Sequence, residues 1–204
     1  MTPRSTRPAR FAAATLALPL LLLAGCTDEG GTNTVAGQAR EVADRAYNSG
    51  DGRIETLAPD ERGEPVELTG RTLTGEDWSS VDHRGGIVVL NVWGSWCPPC
   101  VSEMPELEKA WTTLQKRDHK VQFMGVNTGG ESPATAAAFL QRTGTSYPSL
   151  EDDGGVALIA LQEKASTPPT TLVLDTQGRI AARVVGETTA ATLTGLVDDV
   201  AAKG

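Results

Sequence analysis

The sequence predicts an α/β fold in which helices flank a central mixed β-sheet. From about residue 53 onward, strand-like and helix-like segments alternate, and this alternation is typical of α/β domains. The run from Ile87 to Trp93 is largely apolar and rich in β-branched residues, as expected of a strand buried on both faces. Near the end of the chain, residues 170–175 and 179–186 flank a Thr-Gln-Gly turn, which predicts a hairpin followed by a last helix.

The first predicted elements are a short N-terminal β-hairpin, a core strand and a long helix. Residues 65–76 predict two short strands around a turn at Thr69-Gly70. The core strand from Ile87 to Trp93 leads into a helix predicted over Pro98 to Arg117. The apolar positions of that helix recur every three or four residues, at Val101, Met104, Leu107, Trp111 and Leu114.

Strands and helices continue to alternate through the second half of the domain. The segment Lys120 to Asn127 predicts a second core strand. Ser132 is expected to cap the next helix, with Pro133 at its first position and Gly144 at its end. The remaining predicted elements are a short strand within residues 145–150, a brief helix within 155–162, the two hairpin strands, and a final helix over 188–202.

Composition bounds the class of protein. The chain has 204 residues, 39% of them hydrophobic, which suits one globular domain with some additional chain. Its net charge is −8, and no basic run follows the first ten residues. Because binding to phosphate backbones needs clustered Lys and Arg, the composition argues against a nucleic-acid partner.

The first residues predict a secretory signal. Arg4, Arg7 and Arg10 precede an apolar run from Phe11 to Leu23. The run is about thirteen residues long, whereas a membrane-spanning helix needs about twenty. A basic segment followed by a short apolar segment is typical of a signal peptide.

The segment from Leu23 to Cys26 resembles the lipobox of bacterial lipoproteins, in which the cysteine is lipid-modified and becomes the first mature residue. Cys26 would then anchor the protein on the extracytoplasmic face of the cell membrane. The alternative is an ordinary cleaved signal with an unrelated cysteine nearby. The predicted organisation is a signal peptide over residues 1–25, a flexible polar tether over 26–52 and one domain over 53–204.

Cys97 and Cys100 lie where the predicted core strand meets the long helix. At a helix N-terminus, unpaired N–H groups and the helix dipole favour an anion, and the attacking form of cysteine is the thiolate. An ordinary cysteine, with a pKa near 8.5, is only about 3% ionised at pH 7. Cys100, one helical turn on, can close a disulfide or resolve a mixed disulfide. This spacing predicts a dithiol that undergoes exchange.

Three other interpretations of the cysteine pair stay open. A zinc site needs about four ligands, and a hydrolase would need a histidine beside Cys97. His83 and His119, the two histidines of the chain, fit no ligand pattern and are interpreted as solvated loop residues. A permanent disulfide is possible in an oxidising compartment, although so short a loop stabilises the fold little. We expect neither a metal nor a cofactor.

The sequence WCPPC after a buried strand resembles the active site of the thioredoxin superfamily. The longer stretch VVLNVWGSWCPPCVSEMPEL resembles the TlpA/ResA-like branch of membrane-anchored thiol–disulfide oxidoreductases. The resemblance covers roughly residues 60 to 204. It implies a thioredoxin-like fold that carries the insertion of the TlpA-like branch near residues 131–140.

The resemblance also implies roles for single residues. Trp96 corresponds to the aromatic residue before the first active cysteine, Cys97 to the nucleophile and Cys100 to the resolving thiol. Glu103 corresponds to an acid near the active site of ResA-like members, and Pro105 to the proline within the first helix.

One position departs from thioredoxin, which has a buried aspartate six residues before its first active cysteine. Asn91 stands there and does not titrate, so it cannot accept the proton of the resolving thiol. Glu103 is then the nearest candidate for that task. The alternative is that Glu103 is a solvated helix residue.

A second segment of the resemblance includes Pro168, Pro169 and Thr170, just before a predicted strand. In the superfamily a cis-proline occupies the position of Pro169, opposite the dithiol. Such a bond turns backbone N–H and C=O groups outward, where an extended substrate could pair with them. The alternative is two loop prolines without a role in binding.

The resemblance implies reduction of disulfides in exported proteins, for example at the haem-site cysteines of apocytochrome c. The electrons would come from a membrane thiol carrier of the CcdA type. Two alternatives remain: an oxidase of the DsbE-like or DsbF-like kind, and a non-catalytic lipoprotein that binds a metal or a partner. Pro98 and Pro99 remove two backbone N–H groups, so the N–H of Cys100 is the nearest expected donor to the Cys97 thiolate.

Overall fold

The computed structural model describes residues 52–117, 120–151, 154–161 and 164–203. The predicted signal peptide, Cys26, most of the tether and His119 lie outside these residues. None of the helices found within the described ranges is long and apolar enough to cross a membrane.

The described strands are β1 Arg53–Thr56, β2 Thr69–Arg71, β3 Asp77–Ser79, β4 Ile87–Trp93, β5 Val121–Asn127, β6 Ser149–Leu150, β7 Thr170–Leu174 and β8 Ile180–Val185. The predicted mixed sheet is present and has six of them in the order β1-β8-β7-β4-β5-β6. β4 pairs in parallel with β5 and antiparallel with β7, and the predicted hairpin β7–β8 continues to β1. A separate two-stranded sheet joins β2 and β3.

The helices follow the predicted order. They are a 3-10 turn over Ser80–His83, α1 Pro98–Leu114, α2 Pro133–Thr143, α3 Val156–Ala160 and α4 Ala190–Lys203. The predicted ends of α2 are confirmed: the Ser132 hydroxyl accepts the N–H of Thr135 at 3.2 Å, and Gly144 takes a left-handed φ of 70°. This helix lies where the resemblance places its insertion, near residues 131–140.

β4 is buried along its whole length, as predicted, because side chains pack against both of its faces. Val89 and Trp93 point into a core that α1 and α4 complete with residues such as Leu107 and Leu193. Alternate residues of β4 point into a second core on the other face, built with Val66, Leu68, Ala157 and Leu161. By the same alternation Asn91 faces α1.

The first hairpin turns later in the chain than predicted. Thr69 and Gly70 lie within β2, and the chain reverses at Thr72–Gly75, where Gly75 adopts a φ of 88°. The Thr72 carbonyl accepts the N–H of Gly75 at 2.8 Å. Gly70 instead allows close packing, since a Cβ there would lie 3.3 Å from a methyl group of Leu150. Gly70 is therefore explained by the close approach of two segments and not by a turn.

Three smaller expectations are also corrected. α1 ends at Leu114 rather than at Arg117. Val101 is exposed, because the buried face of the helix runs through Cys100 and the residues three, four and seven positions beyond it. His83 is not a simple solvated loop residue, since it is partly buried and its ring stacks on Trp78 at 5.3 Å.

Candidate active site

The cysteine pair lies at the start of α1, immediately after the end of β4. Cys97 is the N-cap residue of the helix and forms a disulfide bond with Cys100, with the two Cα atoms 5.3 Å apart. Cys97 is 3% exposed and Cys100 is fully buried. Of the two sulfurs, that of Cys97 is therefore the one that an external disulfide can reach first.

The two prolines between the cysteines determine which backbone groups face the Cys97 sulfur. Pro98 and Pro99 occupy the first two helical positions, where their missing N–H groups cost the helix no internal hydrogen bond. The N–H of Cys100 donates to Sγ of Cys97 at 3.3 Å. In the disulfide-bonded state the expected donor therefore faces this sulfur, and its bond to the Cys97 thiolate stays a prediction.

Trp96 forms an exposed apolar surface next to the dithiol. Its side chain is 54% exposed, and its indole N–H donates to the carbonyl of Thr128 at 3.0 Å. The ring lies against Gly94 and Gly129, where an added Cβ atom would collide with the indole nitrogen. Glycine at these two positions leaves room for the indole, which therefore packs directly against the backbone.

Glu131, which the sequence did not indicate, holds the segment before the cysteines. Its carboxylate accepts the N–H and the hydroxyl of Ser95, both at 2.6 Å. The Asn127 amide also donates to it at 3.4 Å. The loop after β5 thus fixes the approach to Cys97 through both Ser95 and Trp96.

Glu103 is buried rather than solvated, so the solvated interpretation is wrong. It lies one helical turn beyond Cys100 with 2% of its surface exposed. Its Oε1 accepts the Asn91 amide at 3.0 Å, and its Oε2 accepts the backbone N–H of Thr188 at 3.3 Å. Burial raises the pKa of Glu103 to about 8, even though these two hydrogen bonds lower it, and the negative charge of Glu187 adds to the rise.

The loop between β8 and α4, residues 186–189, is a second feature that the sequence did not indicate. The Ser102 hydroxyl donates to the Glu187 carboxylate at 2.9 Å, and the N–H of Ala190 donates to the Glu106 carboxylate at 2.9 Å. Together with the bond from Thr188 to Glu103, these contacts fasten the loop to the second and third turns of α1. An acid facing the start of α4 was a possible signal, because helix N-termini favour anions.

The predicted cis-proline is present at the start of β7. The bond between Pro168 and Pro169 is cis, and Thr170 pairs with Val92 close to the end of β4. Because β4 and β7 run antiparallel, this register brings the prolines to the same end of the sheet as the dithiol. Trp96, Cys97, Cys100, Glu103 and the cis-proline segment therefore share one edge of the domain.

One expectation about this segment needs correction. The Pro169 carbonyl does not face outward freely, because it accepts the N–H of Gly186 at 2.9 Å. The Thr167 carbonyl accepts the Thr170 hydroxyl at 2.6 Å. Thr167 is exposed and Pro168 is partly exposed, whereas Pro169 and Thr170 are buried.

The groups of this site that can react are the sulfurs of Cys97 and Cys100 and the carboxyl group of Glu103. Within the described ranges, no group of three or more His, Cys, Asp or Glu side chains is arranged to hold a metal ion. A dithiol beside an acid with a raised pKa can exchange thiols, disulfides and protons.

Comparison with known proteins gives one sequence family. The model of the AhpC/TSA family matches residues 58–183. The thiol-disulfide oxidoreductase ResA of Halalkalibacterium halodurans is 32% identical over 140 residues, covering 68% of this chain and 69% of that protein. ResA of Geobacillus thermodenitrificans is also 32% identical, over 57% of this chain and 64% of its own length. The chain thus spans slightly less than two thirds of that relative.

Solved structures give the same fold. The crystal structure of a DsbF homologue from Corynebacterium diphtheriae shares 35% identity and a TM-score of 0.65, over 72% of this chain and 92% of that one. A secreted thiol-disulfide isomerase from Corynebacterium glutamicum shares 29% identity and a TM-score of 0.67, over 72% of this chain and 90% of that one. These likenesses confirm the expected thioredoxin-like fold. The family match covers most of that fold and a relative named ResA is covered over two thirds of its length, so this chain belongs to the AhpC/TSA family of thioredoxin-like proteins.

Proposed function

We propose that this protein is an extracytoplasmic thiol–disulfide oxidoreductase that reduces disulfides in exported proteins through Cys97 and Cys100. The observation that carries the proposal is a buried carboxyl group, Glu103, one helical turn from the buried cysteine. Its pKa of about 8 lies near neutral pH, where a carboxyl group can both accept and return a proton. Glu103 is therefore suited to take the proton of Cys100.

The reduced dithiol acts in two steps. The Cys97 thiolate attacks one sulfur of a substrate disulfide, forms a mixed disulfide and expels the other substrate sulfur, which takes a proton from solvent. Cys100 then passes its proton to the Glu103 carboxylate and attacks the Cys97 sulfur. This second attack closes the Cys97–Cys100 disulfide and releases the remaining substrate thiolate, which takes up the second proton. Two electrons pass from the protein to its substrate.

We assign substrate contact to the exposed groups around Cys97. The Trp96 indole offers an apolar surface on one side. On the other side lies the cis-proline segment of Pro168, Pro169 and Thr170, where the exposed Thr167 and the partly exposed Pro168 would meet an extended chain. An unfolded or extended polypeptide with a cysteine would fit between them.

The N-terminal sequence supports a setting for this reaction outside the cell membrane. The predicted signal over residues 1–25 and the lipidation of Cys26 would place the domain on the outer face of the cell membrane, joined by the tether of residues 26–52. Two relatives bear the names ResA and thiol:disulfide interchange protein HelX. In line with the resemblance, apocytochrome c is a candidate substrate, and a carrier of the CcdA type is a candidate source of electrons.

Reduction of insulin disulfides by the full chain tests the activity. We expect turnover with a thiol reductant in the parent protein and its loss in Cys97→Ser. In Cys100→Ser, we expect a mixed disulfide with substrate to accumulate, because the resolving thiol is missing. Equal activity of the parent protein and Cys97→Ser would instead favour the non-catalytic alternative, a lipoprotein that binds a metal or a partner.

The oxidase remains a second candidate function, and one observation favours it. The DsbF homologue is more similar in sequence, at 35% identity, than the relatives named ResA, and 92% of its chain is covered. Alkylation of the thiols in intact cells, followed by a gel-shift measurement, separates the two directions. A mostly reduced Cys97–Cys100 pair supports the reductase, whereas a mostly disulfide-bonded pair supports the oxidase.

A further inference from the structure

Two polar atoms beside Glu103 are buried without a hydrogen-bond partner. They are Oδ1 of Asn91 and Oγ1 of Thr188. Asn91 uses its amide N–H groups on Glu103 and on the Thr171 hydroxyl, each at 3.0 Å. A buried polar atom without a partner is costly, and its persistence calls for a physical reason.

Thr188 is held against Glu103 by its backbone and by its neighbours. Its N–H donates to Oε2 of Glu103 at 3.3 Å. On either side, the contacts of Glu187 with Ser102 and of Ala190 with Glu106 fasten the loop to α1. A change confined to the Thr188 side chain therefore leaves the backbone of the loop in place. The hydroxyl belongs to the same residue as the donating N–H, and rotation about the Cα–Cβ bond of Thr188 changes the direction in which it points.

The groups that face Glu103 include acids and neutral groups, and none of the ion pairs in the described ranges involves it. Cys100 lies one turn before it on α1, and Asn91 and Thr171 face it from the sheet. The Glu187 carboxylate in the loop carries a negative charge near Glu103, and the buried Tyr147 hydroxyl would do so if it ionised. With no cation to fix its ionised form, Glu103 depends on neutral hydrogen-bonding groups in both protonation states.

We propose that Thr188 is a positioning residue for the exchangeable proton of Glu103. Its hydroxyl donates to the carboxylate when Glu103 is ionised, and it accepts from the carboxylic acid when Glu103 is protonated. A hydroxyl suits this exchange because it carries one donor and two acceptor sites and can rotate between them. The inference rests on the proposed function, since it assigns a partner to the acid that serves Cys100.

The direction of the expected pKa change follows from comparing two hydrogen bonds of Thr188: the one that it donates to the ionised carboxylate and the one that it accepts from the neutral acid. A hydrogen bond to an ionised group is roughly twice as strong as one between neutral groups. Thr188 therefore stabilises the carboxylate more than the acid, and losing its hydroxyl should raise the pKa of Glu103. We expect a rise of about half to one unit in Thr188→Val, which keeps the branched shape and the backbone N–H.

Titration of Glu103 in the full chain tests the proposal without assuming enzymatic activity. The carboxyl carbon can be followed by NMR in protein labelled at glutamate, with Glu103→Gln used to identify its signal. The expected result is an upward shift of the Glu103 titration in Thr188→Val and a parent-like titration in Thr188→Ser, which retains the hydroxyl. The pH profile of insulin reduction should move upward with the same variant.

Two results would overturn the proposal. One is a Glu103 titration in Thr188→Val that matches the parent. The other is an equal shift in Thr188→Ser, which would trace the effect to packing rather than to the hydroxyl. Failure of the proposed function is seen separately, as absence of insulin reduction in the parent protein, and it leaves the NMR titration valid. If Thr188→Val does not fold, the comparison is made with Thr188→Ala against the same serine control.

Discussion

Glu103 and Asp175 are both buried carboxyl groups, yet their surroundings differ in kind. Glu103 is 2% exposed and Asp175 is fully buried. Asp175 accepts the guanidinium groups of Arg62 and Arg179, each at 2.9 Å, and the N–H of Arg179 at 2.9 Å. Glu103 accepts from an amide and a backbone N–H, with no guanidinium or ammonium group paired to it in the described part of the chain.

The pKa values move in opposite directions as a result. Burial alone would raise the pKa of Asp175, but the N–H of Arg179 and the two guanidinium groups lower it below its usual value. Burial raises the pKa of Glu103 to about 8, because its two hydrogen bonds offset only part of the loss of solvation. The neighbours of a buried acid, rather than its burial, decide whether it serves as a fixed charge or as a proton acceptor.

The largest effect is expected from removing the charge of Asp175. Asp175→Asn removes the charge that Asp175 supplies to the guanidinium of Arg62, whose side chain is 1% exposed. Breaking such a pair from one side costs about 3–5 kcal/mol of the free energy of unfolding. Urea denaturation at pH 6 would measure this loss. The matched variant Glu103→Gln should lose less, about 1–2 kcal/mol, since a neutral amide replaces a neutral acid but its nitrogen cannot accept one of the two hydrogen bonds. Equal losses would break the comparison.

The next largest effect is expected on the rate of thiol–disulfide exchange. Glu103→Gln should slow insulin reduction about 100-fold at pH 7, because the amide cannot accept the proton of Cys100. Stopped-flow or turnover assays across pH 6–9 would measure this loss. Glu108→Gln, on the same helix but hydrogen-bonded to Ser146, serves as the control and should keep the parent rate. If the two glutamine variants have the same rate, Glu103 does not handle the proton.

The two acids should also change the free energy of unfolding in different pH ranges, Glu103 up to near neutral pH and Asp175 at acidic pH. The folded protein binds a proton at Glu103 more tightly than the unfolded chain does, so stability declines as pH rises from about 4.5 to about 8. Between pH 6 and pH 7 the decline from this group is about 1.4 kcal/mol. Asp175, with its lowered pKa, contributes stability above its unfolded pKa that is lost as pH falls through the folded value. Chemical denaturation at several pH values measures both, and Glu103→Gln should flatten only the neutral range. If the free energy of unfolding depends on pH near neutrality in Glu103→Gln as it does in the parent, Glu103 is already ionised in the folded protein.

Local signals accounted for much of the fold and for the reactive pair. The run Ile87–Trp93 could be assigned as a buried strand because its pattern is decided by adjacent residues. The caps of α2 were predictable for the same reason: Ser132, Pro133 and Gly144 have backbone preferences that depend on neighbouring residues only. Cys97 at the start of α1 follows from the strand that ends just before it.

Long-range contacts were beyond the same reasoning. The N–H that reaches Glu103 comes from a residue 85 positions away, and Asp175 meets Arg62 across 113 positions. Nothing near Glu103 in the sequence distinguishes it from a solvated helix glutamate until α4 and its loop pack against α1. The turn expected at Thr69-Gly70 failed in the same way, because Gly70 makes room for a distant leucine.

The smallest expected effect leaves both carboxyl groups unchanged and shows whether Glu103 alone sets the redox behaviour of the site. Pro99→Gly restores one N–H at the second position of α1, where an N-cap side chain commonly accepts a hydrogen bond. With a second donor beside that of Cys100, the Cys97 thiolate is stabilised, and we expect its pKa to fall by about half a unit.

The same stabilisation of the reduced form should make the disulfide more oxidising by about 15 mV. Rates of alkylation against pH would give the thiol pKa, and equilibration with a glutathione buffer would give the potential. Pro133→Ala, which restores an N–H at the start of α2 far along the chain from the dithiol, should change neither value. If Pro99→Gly also changes neither, the prolines set only the geometry of the helix start. A shift in Pro99→Gly with an unchanged titration of Glu103 would instead show that two independent groups, a backbone donor at Cys97 and a buried acid near Cys100, tune the two thiols separately.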